Sequence, residues 1–94
     1  MTYGIDKTTA FMKDVARAKR QGLDLAKLTD TVVALANGQR LPPSKRDHAL
    51  KGEWSGCREC HISPDWLLVY RKDDERLVLL LIRTGTHRDL KLGG

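Results

Sequence analysis

His61-Ile-Ser-Pro-Asp-Trp-Leu-Leu-Val-Tyr70 is the stretch whose reading settles the fold. Ser63-Pro64-Asp65 has turn chemistry, because proline presets φ and aspartate bonds its own backbone. The run before it, Cys57 to Ile62, reads as one strand, and the run after it, Trp66 to Arg71, as the next. Leu67-Leu68-Val69 is apolar on both faces, as a central strand requires. A second turn at Asp73-Asp74-Glu75 leads into a third strand, Leu77 to Ile82, again apolar on both faces. Two tight hairpins dictate which strand ends meet. His61, Asp65 and Trp66 fall at one end of the sheet. The third strand runs back and ends at Arg83, beside His61 and Asp65, with His87 four residues later.

Upstream, Tyr3 to Asp6 can form a short strand. Thr8 or Thr9 can cap a helix that carries Phe11, Val15 and Ala18 on one face. Asp24 can cap a second, with Leu25, Leu28, Val32 and Leu35 at helical spacing and Gly38 at its end. The short link through Gln21 to Leu23 makes the two an antiparallel hairpin. Residues 39 to 56 break the pattern: Leu41-Pro42-Pro43 cannot continue a helix, and Arg40, Lys45, Arg46 and Lys51 make the stretch basic. It reads as a long ordered loop anchored by Trp54. The expectation is an α+β fold, one domain over residues 1–94. An N-terminal strand and a two-helix hairpin pack on a mostly antiparallel four-stranded sheet.

Seventeen lysines and arginines against twelve acids give a net charge of +5, which suits a polyanionic partner such as nucleic acid or an acidic protein. The N-terminus offers no signal-peptide run. The longest apolar run, Leu77 to Ile82, is too short to span a bilayer, so a cytoplasmic protein without membrane contact is expected.

The gathered rim has the chemistry of RNA cleavage. A base takes the 2′-OH proton, an acid protonates the leaving 5′-oxygen, and a cation holds charge on the phosphorane-like transition state. Histidines serve the first two tasks near neutral pH, and the guanidinium fork of Arg83 matches phosphate oxygens. All three histidines of the chain, His48, His61 and His87, lie in segments able to line this cleft. Taken singly, each has an ordinary structural reading: a histidine on a strand, Asp65 in a turn, Trp66 in a core. The weight lies in their convergence.

Cys57-Arg-Glu-Cys60-His61 matches the C-x-x-C-H pattern of covalent haem attachment. No export signal accompanies it, and on a strand residues three apart point to opposite faces, which disfavours both haem and a zinc site. Two free thiols are expected, and no cofactor or metal.

Three blocks together carry a resemblance. These are Asp47-His48-x-Leu50-x-Gly52-x-Trp54-x-Gly56-x-Arg58, His61-x-x-Pro64-Asp65-Trp66-Leu67-Leu68-Val69-Tyr70, and Arg83-Thr84-Gly85-Thr86-His87. With the helical hairpin before them, they resemble the YafQ branch of the RelE/ParE toxin superfamily over nearly the whole chain. The resemblance implies a metal-independent toxin that enters the ribosomal A site of the 70S ribosome and cleaves the mRNA there. It also implies neutralisation by an acidic antitoxin. It assigns catalysis to His48, His61, Asp65, Arg83 and His87. His48 and His87 would be base and acid in either order, His61 and Asp65 a supporting pair, and Arg83 the phosphate ligand. Trp66 packs the site or touches a base, and Arg46 and Lys51 are further substrate-binding candidates. The branch usually carries an aromatic shortly after this last block; here Lys91 follows Leu90 and would contact phosphate instead. A gyrase-inhibiting toxin of the ParE type generally lacks the histidine set, and a non-catalytic RNA-binding module would grip RNA without cutting it.

Overall fold

The computed structural model describes residues 2–90. Element order is β1 (Gly4–Lys7), α1 (Thr9–Arg20), α2 (Leu25–Ala36), β2 (His48–Ala49), β3 (Arg58–Ser63), β4 (Trp66–Asp73), β5 (Val78–Gly85) and α3 (His87–Leu90). The strands form one sheet in the order β1-β5-β4-β3-β2. β1 pairs with β5 in parallel; the other pairs are antiparallel. Among the described residues the sheet therefore has five strands, not four. The extra one lies inside the expected loop, where His48 and Ala49 pair with Glu59 and Arg58. A two-residue strand has no periodicity to read, so its partner alone reveals it.

Local chemistry sets the helix ends. Thr8 accepts from the amide of Phe11 and Asp24 from that of Ala26, so each satisfies a free N–H of the first turn. Phe11, Ala18, Leu28, Val32 and Leu35 then pack with Cys60, Leu68, Tyr70, Leu79 and Leu81 in the main core, on one side of the sheet. Leu67, Val69 and Leu90 form a second cluster, with Leu50, Trp54, Cys57 and Ile82 against it. Leu67, Leu68 and Val69 are fully buried, so β4 is central, as its two apolar faces require. Cys57 and Cys60 belong to opposite clusters. Burial pushes the Cys60 thiol up to about 12, which keeps it protonated and inert.

β5 is longer than its apolar run suggests and is bulged. Val69 faces Arg83 while Tyr70 faces Leu81, which leaves Ile82 as the extra residue. The bulge lets Leu81 and Thr84, three apart, both be buried. Leu77 is not part of the strand; it stands in the left-handed region (φ 54°) in the preceding turn.

Candidate active site on the sheet rim

Strand register assembles the site. One row crosses the sheet from His48 on β2 to Glu59, Val69 and Arg83. The next runs from His61 to Leu67 and Gly85, and His87 follows at the start of α3. Neighbouring strands are about 4.8 Å apart, so four strands span about 14 Å, enough for a phosphodiester and its flanking groups. Buried Leu67 and Val69 lie between the polar positions.

Three of the four residues expected at the hairpin end do meet. The His61 and His87 rings lie 5.8 Å apart between centroids, and His87 Nδ1 is 3.4 Å from Asp65 Oδ1. His48 Nδ1 lies 2.6 Å from the carbonyl of Arg46, and His61 Nδ1 3.3 Å from that of Pro64. Carbonyls and carboxylates only accept, so every ring donates from Nδ1. Each neutral histidine therefore presents Nε2 as its working nitrogen.

Glu59, missed in the sequence, sits at the centre of this set. It is buried, yet its Oε1 lies 3.7 Å from His48 Nε2 and 3.9 Å from His61 Nε2. One carboxylate oxygen thus faces the working nitrogens of two histidines. Glu59, His61 and His87 also bring one donor atom each within 4.8 Å of one another. A carboxylate and two imidazoles make a donor set that suits transition-metal ions.

Arg83 is reached differently. It donates from Nε (2.6 Å) and Nη2 (3.1 Å) to Asp14 on α1, a carboxylate only 3% exposed. Asp14 also accepts from the Thr84 amide at 3.1 Å and lies 3.2 Å from Arg17 Nη2. The hydrogen bonds to Asp14 hold the Arg83 guanidinium above its ordinary pKa. They use Nε and Nη2, which leaves Nη1 as the edge for a phosphate oxygen. Arg17 continues toward Asp89 at 3.7 Å, and the Asp89 carboxylate accepts from the Thr86 amide. The Arg-Thr-Gly-Thr-His block is thus clamped to α1. A Cβ at Gly85 would come within 2.9 Å of Arg17 Nη2 and 3.1 Å of Asp89 Cβ, so a side chain there would push on the clamp.

Trp66 is core. It is 4% exposed, and its indole Nε1 donates to Thr84 Oγ1 at 2.9 Å, while Thr84 Oγ1 donates to the carbonyl of Leu67. Base contact by Trp66 is replaced by packing under the site. Trp66→Phe strands a buried hydroxyl lone pair and is expected to cost about 1–2 kcal/mol. Urea denaturation reads that loss; an unchanged KM for RNA separates packing from substrate contact. Arg46 is exposed at the rim of a cavity that includes His61. Lys51 is exposed and makes no described contact with the histidines. Lys91 lies outside the described residues.

Asp47 carries the loop. It accepts from the Tyr70 hydroxyl and from Arg58 Nε (3.2 Å), which ties the residue before His48 to β3 and β4. Burial and the Asp47 bond push the Tyr70 hydroxyl well above its ordinary range. An acid beside a histidine was visible in the sequence, but its partners were not.

The sequence profile of the bacterial toxin of type II toxin–antitoxin system, YafQ, matches residues 3–92. The chain belongs to the YafQ family. It is 38% identical over 87 residues to the mRNA interferase toxin YafQ of Escherichia coli K12, covering 92% of each chain. YafQ in the E. coli DinJ–YafQ toxin–antitoxin complex superimposes with a TM-score of 0.87 at 36% identity, covering 96% of this chain and 98% of that one. A toxin from Helicobacter pylori described as metal-bound reaches 0.89 at 39% identity, covering 95% and 99%. The YafQ relatives thus share the α+β fold nearly end to end.

Proposed function

We propose that this YafQ-family chain is a ribosome-dependent endoribonuclease of the cytoplasm, a single-domain toxin that cleaves mRNA in the A site of the 70S ribosome. The observation that carries this reading is the meeting of His48, Glu59, His61, Asp65 and His87 on one rim, with every histidine tied at Nδ1. Nε2 of one histidine takes the 2′-OH proton, the 2′-oxygen attacks the adjacent phosphorus, and a second histidine protonates the departing 5′-oxygen. Arg83 Nη1 holds charge on the phosphorane. His48 and His87 are the base and acid; His61 and Asp65 support them. Glu59 is a positioning residue whose carboxylate faces Nε2 of His48 and of His61. The mRNA interferase name of the E. coli relative agrees with this chemistry.

Glu59→Gln keeps the shape and removes the charge. A 10- to 100-fold loss of single-turnover rate is expected, with partial recovery in Glu59→Asp and less than about 1 kcal/mol change in stability. Equal loss in both variants would leave Glu59 a packing role.

The reaction as written needs no metal. A chelator selective for transition-metal ions over magnesium, which leaves ribosomes intact, is expected not to change the rate. Loss of cleavage that an added transition metal restores would turn Glu59, His61 and His87 into a metal site and overturn this mechanism.

The partner is an acidic antitoxin, as the DinJ–YafQ complex and the net charge of +5 support. Primer extension on an mRNA in a translating extract tests the whole reading. Discrete cuts within codons support it. Absence of cuts with translation unaffected would refute it and make gyrase the next target to assay.

A further inference from the structure

A cavity of about 360 Å³ opens beside His61, with Ser44, Lys45 and Arg46 on one wall and His61, Ser63 and Pro64 on the other. Sites for small ligands begin at about 300 Å³, so this one suits a single nucleotide. Its lining holds two cations and no carboxylate. Lys45 Nζ donates to the carbonyl of Ile62 at 3.1 Å, which fixes the ammonium at the wall and leaves donors free. His61 lines both this cavity and the catalytic rim, so a nucleotide here is continuous with a phosphate at His61 and His87.

The loop wall also touches His48. Arg46 stands in the left-handed region (φ 48°), a conformation costing about 1–2 kcal/mol for a side chain of this kind. In that turn its carbonyl accepts from His48 Nδ1. A residue that lines the cavity therefore also holds His48 through its backbone carbonyl.

Resting on the endoribonuclease reading above, we propose that this cavity binds the nucleotide next to the scissile phosphate. Lys45 and Arg46 hold its phosphate, Ser44 and Ser63 hydroxyls meet the edge of its base, and the Pro64 ring packs on the base.

The test uses the full chain and a trinucleotide RNA with methylated 2′-hydroxyls, which cannot be cut by 2′-OH attack. Amide resonances of Ser44, Lys45, Arg46 and Ser63 are expected to shift on titration. Lys45→Met with Arg46→Gln keeps both stems and the Arg46 carbonyl. This double variant is expected to bind at least tenfold more weakly. Its slope of log affinity against log salt falls by about 0.7 for each lost phosphate contact. On ribosome-bound mRNA its KM rises more than its kcat falls. Shifts confined to other residues, or an unchanged affinity and salt slope, would overturn the assignment. If the wild type cuts mRNA and the variant binds and cuts like it, the cavity fails while the nuclease stands. If the wild type shows the shifts but never cuts, the nuclease fails while the cavity stands as an RNA site.

Discussion

His87→Ala is expected to lower the single-turnover rate of mRNA cleavage by about 10²- to 10⁴-fold, the range for loss of a general acid or base. His87 opens α3 with Nδ1 on Asp65 and its ring beside His61, which leaves Nε2 for proton transfer in the proposed reaction. Its side chain is 42% exposed, and truncation there leaves stability within about 0.5 kcal/mol. The loss is therefore chemical rather than structural, and kcat falls with KM little changed. Primer extension with wild type and variant side by side measures it. A residual rate above a tenth of wild type would remove His87 from proton transfer and leave His48 and His61 as the acid–base pair.

Asp14→Ala is expected to damage both fold and activity. The carboxylate is buried and accepts from Arg83 twice and from the Thr84 amide, with Arg17 beside it. Arg17 and Arg83 are partly exposed and can turn to water. The Thr84 amide is buried and cannot, so an unsatisfied donor remains. With the lost charge-assisted bonds, the expected cost is about 2–4 kcal/mol. For a domain of this size, that lowers Tm by roughly 10–25 °C. Arg83 loses its aim at the same time. Cleavage below the melting range is then expected to fall as far as in Arg83→Ala, and the double variant no further, because the two act as one unit. A stable Asp14→Ala with normal cleavage would separate Arg83 from the chemistry. Calorimetry and single-turnover cleavage together decide the matter.

The two hairpins were legible because turn chemistry at Ser63-Pro64-Asp65 and the double-faced apolar run at 67–69 are local signals. They sufficed to bring His61, Asp65 and His87 together. The helix caps at Thr8 and Asp24 were equally local. Strand β2 was not, since two residues become a strand only through Glu59 and Arg58 across from them. Glu59 itself read as a polar residue between two cysteines. Its place between His48 and His61 depends on that same pairing.

By itself, the sequence determined the α+β class, the order of the two long helices and the three long strands, the convergent rim and the likeness to YafQ toxins, because turns, caps and periodicity are written in neighbouring residues. Only the tertiary structure decided that Trp66 is core, that Arg83 is held by Asp14, and that each histidine has its Nδ1 against an acceptor. Those outcomes rest on contacts between residues as much as seventy positions apart, and such partners leave no trace in the local pattern. They arise when packing brings a buried donor to the one acceptor that can satisfy it.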